Sequence, residues 1–153
     1  MHRRGYARVY WFPDNRRWVD RMLEREREAR AARRGVWAHH FYRVRHVSEL
    51  RRDGKTFQIA ECRVLEVATV KGRTCLNFGP DWRTDFTITA QPRDRRRFVK
   101  GGDGFGSLKG RLVRVRGWLR LRNGHRIKAT ISNRLKCLDK NARKSRADAA
   151  GLA

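Results

Sequence analysis

Apolar and polar residues alternate most cleanly between Leu112 and Arg122. Val113, Val115, Leu119 and Leu121 fall on one side, and Arg114, Arg116, Trp118, Arg120 and Arg122 on the other. A period of two is the signature of a strand. Gly117 interrupts the apolar side, as strong curvature requires. Asn123-Gly124 follows as a hairpin signal, and His125–Ile131 returns as the next strand. Leu135–Leu138 adds a short edge.

Upstream, Asp53-Gly54 marks a turn, and the chain then becomes β-prone from Lys55. The run Phe57–Val70 changes apolar phase partway. Phe57 and Ile59 take odd positions, whereas Ala60, Cys62 and Val64 take even ones. One face cannot hold both sets, so the pattern predicts a bulge or sharp bend near Ile59–Glu61. Lys71-Gly72 makes a turn. Thr74, Leu76 and Phe78 define the second strand, Phe86, Ile88 and Ala90 the third. Gly79–Arg83 is a loop between them. Arg93–Val99 reads as a short helix, and Gly101–Gly106 as a glycine-rich loop without the spacing or lysine of a phosphate-binding loop. Five strands with a helix between the third and fourth is the order of an OB-fold.

The first forty residues follow another period. Ala7–Trp11 predicts a strand, and Phe12-Pro13-Asp14-Asn15 a break with capping residues. A helix is expected from Arg17 to Arg34, its stripe formed by Trp18, Met22, Ala29, Ala32 and Val36 and widened by Val19 and Leu23. Glu26 and Arg30 are spaced to pair, and Gly35 sits where a left-handed residue ends a helix. A helix of this length is marginal alone in water and needs a surface. Its expected support is the downstream domain or another chain.

Charge changes the picture from fold to partner. Lys and Arg total 39 against 15 Asp and Glu, a formal charge of +24. Such an excess repels itself, and a polyanion complements it. The chain has no long apolar span and no basic helix with a broad apolar face, which argues against a membrane partner. An apolar content of 39% is too rich for a wholly disordered basic tail. Only 139–153 is polar, basic and small-residue-rich enough to be expected disordered. The N-terminal basic residues precede no apolar stretch, so no export signal is read, and localisation stays open.

Cys62, Cys75 and Cys137 include no C-x-x-C pair and read as free thiols. His39, His40 and His46 lack the accompanying ligands of a metal site. Asp81, Arg83 and Asp85 carry the only case for metal-assisted chemistry. Turn capping explains both aspartates better.

Two segments resemble a known family. Arg4-Gly5-Tyr6-Ala7-Arg8-Val9-Tyr10, a charged helix and then Gly35-Val36-Trp37 resemble the C-terminal third of a staphylococcal-nuclease-like (thermonuclease) domain. The stretch Leu76-Asn77-Phe78-Gly79-Pro80-Asp81-Trp82-Arg83-Thr84-Asp85-Phe86 and the Val113–Gly124 hairpin resemble the accessory OB-like domain that follows it in some bacterial members. In that family the catalytic arginines and calcium-binding carboxylates lie earlier than the matched stretch. The resemblance therefore implies no catalytic residue and no metal ligand here, with Ca²⁺ belonging only to a complete parent domain. Members are often exported.

The expected architecture is mainly β with helices (α+β): a five-stranded OB-like barrel preceded by a strand and one long amphipathic helix. Its parts are a truncated nuclease-like segment (1–38), a linker (39–53), the OB-like domain (54–138) and a basic tail (139–153). The expected function is non-enzymatic binding of DNA or RNA, directed at the backbone and weakly sequence-selective. The candidate contacts are Lys71, Arg73, Trp82, Arg83, Arg114, Arg116, Trp118, Arg120 and Arg122. Aromatics would stack on bases and cations track phosphates. The alternatives are a metal-dependent thermonuclease-type phosphodiesterase, active only with upstream residues or a partner chain, and a module that docks on its parent enzyme.

Overall fold

The computed structural model describes residues 1–12, 17–50, 53–81, 85–92, 104–121, 125–129 and 135–138. The chain divides into two compact units, Met1–Val44 and Arg45–Ala153. Its fold is mixed α+β, with one α-helix and eight strands among the described residues.

In the first unit the helix α1 spans Val19–Ala31. Its buried line is Val19, Glu26 and Ala29, with Met22 and Leu23 half-buried between them. Trp18 lies off that line, exposed beneath the Arg17 guanidinium. The helix ends one turn before the expected glycine. Arg33 takes the left-handed conformation at φ 50°. The Arg34 N–H then reaches the Ala29 carbonyl at 2.9 Å and the Arg33 N–H the Arg30 carbonyl at 3.1 Å, a Schellman ending with arginine in the usual glycine place. Gly35 serves a different purpose. Its backbone presses on that of Gly5, and the Val36 N–H donates to the Gly5 carbonyl at 2.8 Å. A Cβ on Gly35 would collide with that carbonyl, and one on Gly5 with the carbonyl of Arg34.

The strand expected at Ala7–Trp11 does not form. Residues 7–12 take no regular secondary structure and join no ladder. A side chain takes the place of a neighbouring strand: the fully buried Glu26 carboxylate accepts the Val9 N–H at 2.6 Å. Arg30 Nη1 lies 3.4 Å from the same carboxylate and its guanidinium over the Trp37 ring.

The short strand β1 (Val44–His46) begins at the last residue of the first unit, and a 3₁₀ turn, Val47–Leu50, follows it in the second. Leu50, at the end of that turn, is completely buried. The remaining strands are β2 (Phe57–Arg63), β3 (Glu66–Val70), β4 (Arg73–Asn77), β5 (Thr87–Ala90), β6 (Leu112–Leu121), β7 (His125–Ala129) and β8 (Leu135–Cys137). Their hydrogen-bonded order is β1-β2-β6-β7-β5-β4-β3, with β8 beside β6. All pairings with a resolved register are antiparallel except β5 with β7.

The bulge expected near Ile59–Glu61 is absent. The ladder from Phe57↔Trp118 to Arg63↔Leu112 runs without a skipped residue. The two apolar phases arise because β2 is buried on both faces, with Ile59 and Ala60 both inaccessible. The chain instead changes partners after β2. Val64 still bonds to Arg111 and Gly110, whereas the Leu65 N–H donates to Asn77 at 2.9 Å. β2 therefore lies against β6, and its continuation β3 against β4.

The core gathers on the inner side of these strands. Ala60, Cys62, Val64, Leu76, Ile88, Val113, Val115 and Leu119 meet Leu50 from the 3₁₀ turn, Leu135 from β8 and Phe105. The helix expected at Arg93–Val99, the hairpin turn at Asn123-Gly124 and the tail at 139–153 lie outside the described residues.

Candidate nucleic-acid interface

β6 organises the site, because its non-core positions carry Arg114, Arg116, Trp118 and Arg120. Val113, Val115 and Leu119 bury the other side, as the alternation requires. The four outward residues do not share one environment. Arg114 stands opposite Glu61 in the ladder and forms an ion pair with its carboxylate. Arg116 stands opposite the inaccessible Ile59 and is itself only 7% exposed. Trp118 stands opposite Phe57, their rings edge to face at 6.1 Å, and remains 48% exposed. Arg120 is exposed, and its ladder partner on β7 is Arg126. Of the described arginines in the row, Arg114 and Arg116 are paired or buried and Arg120 is open to solvent.

The neighbouring strands extend the open end. On β4, Thr74 and Leu76 face the core, which leaves Arg73, Cys75 and Asn77 on the other side. Arg73 is exposed, as is Lys71 in the preceding turn at φ 49°. Cys75 pairs with Thr89 of β5, which pairs with Lys128 of β7. Asn77 pairs with Thr87, which pairs with Arg126. The Thr87 hydroxyl donates to Asn77 Oδ1 at 3.3 Å. Register positions across β4, β5, β7 and β6 therefore carry cations, hydroxyls and an amide.

Trp82, Arg83 and Arg122 lie outside the described residues. The base of the loop that holds the first two is described. Asp85 Oδ2 accepts the Asp81 N–H at 2.9 Å, and the Asp85 N–H donates to the Asp81 carbonyl at 2.8 Å. Gly79 leaves space for that carboxylate, since a Cβ there would strike it. The Asp85 carboxylate thus fastens the turn through the Asp81 backbone. No group of three His, Cys, Asp or Glu side chains suited to a metal ion occurs among the described residues.

Several basic residues that sequence reasoning counted only as charge serve the fold. Arg45 is 6% exposed; its Nη2 donates to the Glu49 carbonyl at 2.6 Å and is ion-paired with Asp53. Arg63 donates to the Gly110 carbonyl at 2.7 Å and Arg111 to that of Ser107 at 2.9 Å. Lys109 pairs with Glu66 at 2.7 Å, and this hydrogen bond, reinforced by the ammonium charge, holds the Glu66 carboxyl below its ordinary range. An acid spaced four from Arg45 was the only local sign of these roles.

Cys62, Cys75 and Cys137 are free thiols. Cys62 Sγ lies 3.3 Å from His46 Nε2, whose Nδ1 is 2.8 Å from Ser48 Oγ. Burial pushes the Cys62 thiol up, with an opposing backbone hydrogen bond from Arg63, so it stays protonated at neutral pH. No helix among the described residues is long and apolar enough to cross a membrane.

Comparison of the chain with protein-family models and with curated proteins gives no match.

Proposed function

We propose that the chain is a nucleic-acid-binding module, directed at the phosphate backbone and weakly sequence-selective, built on an OB-like barrel behind a nuclease-like helical segment. One observation carries the binding reading. The adjacent strands β8, β6, β7, β5 and β4 contain Arg73, Arg114, Arg116, Arg120, Arg126, Lys128 and Lys136 but no carboxylate. The acids of this sheet enter only on β2 and β3, as Glu61 and Glu66. These strands are one-signed in sequence, and the register sets arginine opposite arginine at 120 and 126. Like charges in opposed positions cost stability. A phosphate backbone offsets that cost by placing anions between them.

Strand order supports the barrel reading. The run from Phe57 to Val70 pairs with β6 in its first half and β4 in its second, and β5 lies parallel to β7. A five-stranded OB barrel has these neighbours when β2 and β3 count as one bent strand. Arg73, Trp118 and Arg120, with Lys71 at the turn, are the described residues assigned to binding. Arg114 and Arg116 are assigned to the fold.

The test is fluorescence anisotropy with labelled DNA and RNA strands over a range of salt. The affinity should fall steeply, with a log–log slope of about −0.7 per phosphate neutralised on a single strand. Binding that ignores salt, or no binding at low salt, contradicts the proposal.

A further inference from the structure

We propose that Trp118 is a base-stacking ledge, so that the module prefers single-stranded nucleic acid to duplex; this rests on the binding function proposed above. Trp118 sits at one end of the β2–β6 ladder. The last register pair is Phe57↔Trp118. Beyond it the Leu119 N–H donates to the Thr56 carbonyl at 2.8 Å, and the Lys55 N–H donates to the Leu119 carbonyl at 3.1 Å. The backbone beneath the indole is thus tied on both sides.

The ring itself is supported and open. Phe57 meets it edge to face, with an interplanar angle of 70°. A tryptophan 48% exposed on a strand costs apolar hydration without a binding partner. Its surroundings specify the chemistry of that partner. Arg120 lies two residues along the same face and is exposed. Lys55, also exposed, is held at φ 62° where its amide reaches Leu119, the neighbour of both Trp118 and Arg120. An aromatic platform with cations beside it suits a base joined to phosphates. A protein partner with an apolar patch would find those cations costly to desolvate. A base inside a duplex has both its faces stacked already, so only an unpaired strand can use the ring.

The probes are a mixed-sequence single strand, an abasic strand of equal length and the matching duplex. Trp118→Ala should weaken the single strand by about 5- to 150-fold and leave the abasic strand and duplex within about 2-fold. Trp118→Phe, which keeps a π-face, should recover most of the loss, and thermal unfolding of both variants checks the fold. Losses equal on all three probes, or no loss on any, overturn the stacking ledge while leaving phosphate-directed binding intact. If the unmodified protein binds none of the probes, the binding function itself fails.

Discussion

The two halves of β6 spend the same residue type in opposite ways. In the first half Arg114 meets Glu61 and Arg116 is buried opposite Ile59. In the second half Trp118 and Arg120 face solvent, and the residue across from Arg120 is another arginine. Alternation along one strand cannot distinguish these fates. The register partners differ: β2 sets Glu61, Ile59 and Phe57 opposite Arg114, Arg116 and Trp118, and β7 sets Arg126 opposite Arg120. A cation with an acid across the ladder serves the fold. Under the proposed function, a cation whose register partner is also a cation contacts an anion from outside.

The largest expected effect tests the buried end. Arg116→Ala should lower stability by about 2 kcal/mol in chemical denaturation, since it removes a buried, packed side chain. Its salt dependence of binding should not change. If the unfolding midpoint stayed and affinity dropped, Arg116 would belong to the interface. Glu61→Ala comes next, with a loss of about 1 kcal/mol from the half-buried pair with Arg114. The same change frees a cation, so single-strand affinity should rise. A fall in affinity would show that Glu61 supports binding directly. Arg126→Thr probes the other end. Removing the like charge from this register pair should raise stability by about 0.2–1 kcal/mol at low salt and by less at high salt, while affinity declines. An unchanged low-salt midpoint would remove repulsion from the account.

The smallest effect concerns Lys109 and Glu66, an exposed pair at the acidic edge. The folded Glu66 pKa is lowered, first by the hydrogen bond from Lys109 and then by its charge. Its contribution is therefore present above the unfolded value of about 4.3 and is lost as pH falls through the folded value. Lys109→Met should flatten this small acid-side decline in the thermal midpoint. A decline of the same size in the variant would assign it to other carboxylates.

Much of the second unit was legible because half-buried strands write their period into the sequence. β6, the pairing of β6 with β7 and the inward set Thr74, Leu76, Ile88 and Ala90 follow from alternation. What failed depended on partners distant in sequence. Phe57–Val70 looked bent at Ile59 because burial on two faces and a bulge produce the same phase change. Ala7–Trp11 looked like a strand because apolar residues do so whether or not a ladder is available; here Glu26 accepts the Val9 N–H instead. The arginine row looked uniform because Glu61 lies 53 residues from Arg114. The clasp of Asp81 and Asp85 was readable, since a short polar turn encodes its own partners. Trp118 was already a candidate contact as an aromatic set among cations, and its exposure came from the fold.

The most direct measurement compares two single substitutions on the same strand. Single-strand affinity is followed against salt for Arg120→Ala and for Arg114→Ala. The account predicts that Arg120→Ala makes the log–log slope shallower by about 0.7, as one lost phosphate contact requires, and that Arg114→Ala leaves it unchanged. Equal changes in both, or a change in Arg114→Ala alone, would contradict the division of β6 into a structural half and a binding half.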